Sequence, residues 1–163
     1  MPDLASLSVL AAYLLLAGLV FAESGILLGF FLPGDTVLFG AGVLSGADHP
    51  RLALPILLAI VVPAAVVGDS VGYWFGGRVG LRAKPGSRGL TPGNLDRARR
   101  FYDRFGVLAV ISARWIPWLR VFTPVLAGAA RMRYRLFLPA NITGAVIWAG
   151  VLLTAGHLSA QLG

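Results

Sequence analysis

The chain has 163 residues, 57% apolar and only 13% charged, with a mean hydropathy of +0.79. Soluble domains carry roughly a quarter charged residues, so half that share, with 21 Gly and 10 Pro, excludes an ordinary soluble domain and points to one helical membrane domain over 1–163. The net charge of +7 is concentrated in two blocks beside apolar stretches, a pattern that the positive-inside rule explains better than nucleic-acid binding, and the absence of Cys excludes disulfides and thiolate chemistry.

Residues 4–22 carry no charge and are long enough for one crossing at 1.5 Å per residue. A signal peptide ending near Val20-Phe21-Ala22 is the rival reading, but Met1-Pro2-Asp3 has no basic residue to serve as its n-region. Residues 24–46 are apolar but broken by Pro33-Gly34-Asp35, and residues 52–77 form a further span containing Pro55, Pro63 and Asp69. Segment 78–105 holds the larger basic block, a loop at Lys84-Pro85-Gly86-Ser87, and an amphipathic surface helix after Thr91-Pro92. Residues 106–130 are apolar with Arg114, Pro117, Arg120 and Pro124, the second block follows at Arg131, Arg133 and Arg135, and residues 136–160 form a last span.

Both basic blocks are expected on the cytoplasmic side, yet 106–130 lies between them. A segment that starts and ends on one side must turn back inside the bilayer, which is tolerated where protein covers its free backbone groups. Loop 46–51 then falls on the opposite side, and 24–46 becomes a second hairpin entering from there. The expected fold is all-α, with transmembrane helices and two opposed re-entrant hairpins turning at Pro33, Gly34 and Pro117 in an inverted-repeat arrangement, the pattern that points to a midplane transport site.

Ionisable groups in hydrocarbon cost about 2.5–3.5 kcal/mol each on insertion scales, so Glu23, Asp35, Asp69, Arg114 and Arg120 must pair or line water. Glu23, the only glutamate, ends the first helix. If the hairpin tips meet, Glu23 and Asp35 face Arg114 and Arg120, an arrangement that can clamp a phosphate between arginines and pass protons through the acids. The alternative is a pair of static bridges, Arg114–Asp35 and Arg120–Glu23. Asp69 is an accessory position that could reach water or cap a break. Gly68, Gly72, Gly76 and Gly80 put a smooth stripe on one helix face, and Trp74, Trp115, Trp118 and Trp148 read as interfacial anchors and packing residues. His49 and His157 have no carboxylate at ligand spacing, so no metal site and no cofactor is expected.

Several segments in order resemble the DedA family of SNARE-associated, VTT-domain membrane proteins. They are Phe21-Ala22-Glu23-Ser24-Gly25, Phe31-Leu32-Pro33-Gly34-Asp35-Thr36, Gly68-Asp69-Ser70-Val71-Gly72-Tyr73-Trp74, Phe101-Tyr102-Asp103-Arg104-Phe105-Gly106 and Arg114-Trp115-Ile116-Pro117-Trp118-Leu119-Arg120, followed by Ala127-Gly128, Met132, Phe137, Asn141, Gly144 and Trp148. Trp118 departs from the glycine that commonly follows this proline in the family. The resemblance implies two opposed re-entrant hairpins and translocation of lipid phosphates across the cytoplasmic membrane, undecaprenyl phosphate in bacterial members and phospholipid scrambling in eukaryotic relatives, with dependence on the proton-motive force. It places the family's acid pair on Glu23 and Asp35 and its arginine pair on Arg114 and Arg120. The expected partners are membrane lipids and protons, with no nucleic acid, and a homo-oligomer stays open. Proton-coupled antiport of a small ion is the competing function; an enzyme is not expected.

Overall fold

The computed structural model describes residues 4–25, 34–47, 52–80 and 91–162, and its elements there are six α-helices. In chain order they are α1 (Leu4–Gly25), α2 (Gly34–Gly46), α3 (Leu54–Gly80), α4 (Pro92–Ala113), α5 (Pro117–Ala129) and α6 (Tyr134–Leu162). Three stretches are long and apolar enough to cross a membrane: Ser8–Gly25 in α1, Leu54–Val79 in α3 and Tyr134–Leu162 in α6. By contrast α2 and α5 have 13 residues each, a rise of about 20 Å against a hydrocarbon core of about 30 Å.

Several sequence boundaries move. Residues 24 and 25, assigned above to the first hairpin, continue α1, so Glu23 lies in the last turn of that helix. The rest of that hairpin's first arm, with Pro33, falls outside the described residues, as do His49, Pro50 and the Lys84–Ser87 loop. The third span runs on to Gly80. The surface helix begins where Thr91 accepts a hydrogen bond from the Asn94 amide at 3.3 Å, with Pro92 in the first turn. It breaks at Gly106, whose φ of +46° is open to glycine at little cost, and an apolar arm continues to Ala113. The chain then reverses through residues 114–116, where the amides of Arg114, Trp115 and Ile116 donate to the carbonyls of Ile111, Ser112 and Ala113. Pro117 opens α5 in the first turn, where its missing N–H is no loss.

Packing relies on close backbone approach. A Cβ on Gly68 would meet the carbonyl of Phe21 at 2.7 Å, and one on Gly76 would run into the backbone of Val125, so the glycine stripe seats α3 against both α1 and α5. A second contact of this kind, not anticipated from the sequence, joins α2 to α6, where Gly42 and Gly156 face each other's backbones. Two apolar cores result. Leu38, Leu57, Val61, Ala65 and Leu153 are buried in one, and Val110, Ala127, Met132 and Phe137 in the other. Along α3, Asp69 falls between Ala65 of the first core and Tyr73 of the second; along α6, Asn141 lies between Ala140 and Ala145. The polar centre thus occupies the seam between the cores, while Leu14, Leu15, Val67 and Leu108 point outward, as side chains facing lipid do.

Candidate functional site

Four helix ends and two helix interiors converge on this seam. Arg120 sits in the first turn of α5, and its guanidinium forks: Nη2 donates to Glu23 Oε1 of α1, and Nη1 donates to Asp35 Oδ1 of α2 at 2.6 Å. Glu23 lies near the C-terminus of α1 and Arg120 near the N-terminus of α5. Each is thus at the helix end whose dipole disfavours its charge, and pairing them cancels both penalties. Asp35 stands in the first turn of α2, the end that favours a carboxylate. Glu23 and Arg120 are buried, whereas the Asp35 side chain is 44% exposed and opens the cluster to the surroundings.

Arg114 makes a different set of contacts from the bridge to Asp35 that the sequence allowed. Its Nη1 donates to Asp69 Oδ2 at 2.6 Å and to Asn141 Oδ1 at 2.7 Å. Asp69 is therefore corrected from a residue reaching water or capping a break to a buried counter-ion, 1% exposed. Asn141 is held in turn by its Nδ2 donating to the Val66 carbonyl at 3.3 Å. Of the two roles read for Trp148, packing holds and interfacial anchoring does not: it is buried, the Arg114 and Arg120 guanidinium carbons lie 5.4 and 4.9 Å from its ring centroid, and its Nε1 donates to Asp35 Oδ1 at 3.0 Å. One indole therefore presents a π face to two like charges that would otherwise repel. Trp74 and Trp115 do point outward. His157 lies apart from this centre, with Nδ1 2.9 Å from Ser45 Oγ.

The set is not closed. Arg114 Nε and Nη2, Glu23 Oε2 and Asp69 Oδ1 are buried without a hydrogen-bond partner among the described residues. Nε and Nη2 share one edge of the guanidinium, the edge that grips a carboxylate or phosphate side-on with two parallel N–H···O bonds. A cavity of about 10 Å³, lined by Arg114, Arg120, Asp69, Thr123, Phe137 and Asn141, lies here; that is room for about one water. Tyr102 closes the side toward α4, its hydroxyl donating to the Thr123 carbonyl at 3.3 Å. Burial pushes its phenol up to about 12, so it stays a donor.

Asn141 entered the sequence reading only as a position matching a family, and Trp148 as that and as an anchor or packing residue. A physical signal was present for Asn141, since a polar amide in the middle of an apolar span needs a partner. Pro33 lies outside the described residues, and Gly34 begins α2 with the Glu23 carboxylate packed where its side chain would be.

An all-helical chain with membrane-length apolar helices and buried, paired charges between two apolar cores is a membrane protein built around an ionic centre. The VTT domain matches residues 32–158. Protein DedA of Escherichia coli (strain K12) is 35% identical over 147 residues, covering 89% of this chain and 67% of that protein. Two uncharacterized membrane proteins of Mycobacterium tuberculosis are 45% identical over 156 residues and 36% identical over 141. They cover 90% and 85% of this chain, which spans 68% and 62% of their lengths respectively. No solved structure matches. The chain belongs to the DedA family of VTT-domain membrane proteins.

Proposed function

We propose that this protein translocates a lipid phosphate across the cytoplasmic membrane, with undecaprenyl phosphate the first substrate to test and a phospholipid the second. The observation that carries the reading is the Nε–Nη2 edge of Arg114, a buried guanidinium fork with no partner among the described residues, beside a second buried arginine. An unsatisfied buried donor costs about 1–3 kcal/mol, more when charged, and a phosphate oxygen pair is the ligand this edge fits. Arg114 and Arg120 hold the head, and the apolar tail stays in lipid. A cavity of about 10 Å³ is too small for a phosphate, so this arrangement is occluded and the helices around it must part to load.

The two short elements are the parts that move in this reading. The apolar arm after Gly106 and α5 form one re-entrant hairpin, and α2 belongs to the opposed one, in an inverted repeat within a multi-pass chain. Neither α5 nor α2 is long enough to cross, and Arg114 lies in the reversal before α5. Glu23 and Asp35 are the proton-exchanging groups: each must release Arg120 before an anion can take its place, and protonation is the chemical route to that release. Glu23 Oε2 lacks a partner, as an oxygen able to carry a proton would.

The test is flux of labelled undecaprenyl phosphate in proteoliposomes. Arg120→Ala, Asp35→Asn and Arg114→Lys should each abolish it, the last because an ammonium has no fork. Normal flux in any of the three sinks the assignment. Antiport of a small ion through the same acids is separated by measuring solute flux under a pH gradient without lipid substrate.

A further inference from the structure

We propose that a second cavity, at the C-terminal end of α5 and walled by Arg99, Arg131 and Arg133, is a phosphate-recognition site for the headgroup of an anionic membrane lipid. It is separate from the Arg114–Arg120 centre and does not depend on the transport reading. The cavity is about 310 Å³ and is completed by Tyr102, Gly106 and Leu136. Three arginines line it, and among the described side chains no ion pair involves any of them. Three like charges around one space call for an anion, and arginines select one with paired acceptors such as phosphate. Arg99 is held in place through Nε, which donates to the Ala130 carbonyl at 3.2 Å.

The backbone provides an independent observation. Among the described residues, positive φ occurs only at Gly106 (+46°) and Arg131 (+58°), and both line this cavity. The Met132 amide donates to Ala127 O at 2.9 Å and the Arg131 amide to Gly128 O at 3.0 Å. These are the two bonds of a Schellman helix end, whose left-handed residue is usually glycine. Here it is an arginine with no ion-pair partner among the described side chains. Folding alone favours Gly at this position, so the guanidinium is retained against backbone preference, and strain of this kind clusters at binding sites.

A lipid, rather than free phosphate, fits the walls. The site has an apolar lip at half-exposed Leu136. On the other side of Arg131 a cavity of about 390 Å³ adds Arg78 beside the exposed ring of Trp74. Basic groups next to outward-facing apolar and indole surface are what a headgroup at the membrane–water boundary meets.

The experiment uses the purified, delipidated full chain and counts bound lipid by native mass spectrometry. The probe is phosphatidic acid, with phosphatidylcholine as control. Arg131→Gly should reduce retained phosphatidic acid about fivefold or more, near the worth of one arginine against an anionic surface, while its Tm stays level or rises. The double variant Arg99→Gln/Arg133→Gln should lose it too, and decides the matter if the first variant folds poorly. Unchanged retention in both overturns the proposal, as does equal retention of phosphatidylcholine. Displacement by equimolar inorganic phosphate would mark a free-anion site and also overturn it. Loss only in Arg120→Ala would place all bound lipid at the central site, removing this proposal while leaving the transport reading intact.

Discussion

Replacing Asp69 by Asn should expose the energetic weight of the inner ion pair. The change is nearly isosteric and keeps an oxygen that can accept from Arg114 Nη1, so charge is what is removed. Arg114 is 5% exposed and cannot turn to water; it would be left as a buried cation, with Arg120 close enough to share Trp148. Removing one partner of such a pair costs about 3–5 kcal/mol, a large part of a folding stability on the order of 5–15 kcal/mol. Adding Arg114→Met removes the stranded charge. The two oxygens that accepted from its Nη1, one at position 69 and Asn141 Oδ1, lose that donor, but two amides brought together at one nitrogen can hydrogen-bond each other, which leaves a penalty of about 1–3 kcal/mol. The double variant should therefore be about 2 kcal/mol more stable than Asp69→Asn alone, yet inactive in transport. SDS-driven unfolding of the purified protein in mixed micelles, completed as a double-mutant cycle, measures this. If Asp69→Asn falls within about 1 kcal/mol of the parent, or the second substitution rescues nothing, the account of Asp69 as the counter-ion of Arg114 is wrong.

Gly34→Ala should separate function from folding. The new Cβ would land on the Glu23 carboxylate, and since that is the end of a flexible side chain, Glu23 gives way and leaves Arg120: lipid flux falls at least tenfold while the melting temperature moves little. Gly76→Ala acts in the opposite sense, because its Cβ meets the Val125 backbone; forcing α3 from α5 should cost about 1–3 kcal/mol, read as a lowered Tm in detergent. Trp148→Phe keeps an aromatic face for both arginines but removes the Nε1 donor to Asp35. A loss of about 1.5–3 kcal/mol, the range for a hydrogen bond to a charged group, should accompany reduced flux, and unchanged stability would mean the bond carries no weight.

The long elements were legible because hydropathy over 20 residues is a coarse and robust signal. Ser8–Gly25, Leu54–Val79 and Tyr134–Leu162 fall where long apolar stretches stand in the sequence, and the break at Gly106 is where the amphipathic pattern gives way to an apolar one. The pairing of charges was not legible. Whether Arg114 meets Asp35 or Asp69 depends on how far α3 slides against α1 and α5, and that is set by backbone contact at Gly68 with α1 and at Gly76 and Gly128 between α3 and α5. A stripe of small residues announces close approach but not its register. Position along a span also misleads: Asp69 lies near enough to a span end to suggest water, yet two apolar cores meet around it. Trp148 was missed as a site residue for a related reason. An indole in a span fits lipid, interface or guanidinium equally well until its neighbours are known.

The charge count at the centre links this geometry to an exchange of ligands. Two arginines face three carboxylates, so with all five groups ionised the net charge is −1, an unfavourable sum for a buried cluster. One proton brings it to zero. Carboxylates already occupy Arg120 on both terminal nitrogens, so an incoming phosphate cannot simply add to the cluster: each negative charge it brings must be matched by a carboxylate that is protonated or released. Asp35 is the member best placed to leave, being half-open while Glu23 and Asp69 are enclosed. The free edge of Arg114 and the Arg120 Nη1 released by Asp35 then offer donors from both arginines beside Trp148. On the proposed transport reading proton uptake and phosphate binding are one event, and Asp35→Asn, which keeps this position neutral, should uncouple them: phosphate affinity retained while net flux is lost.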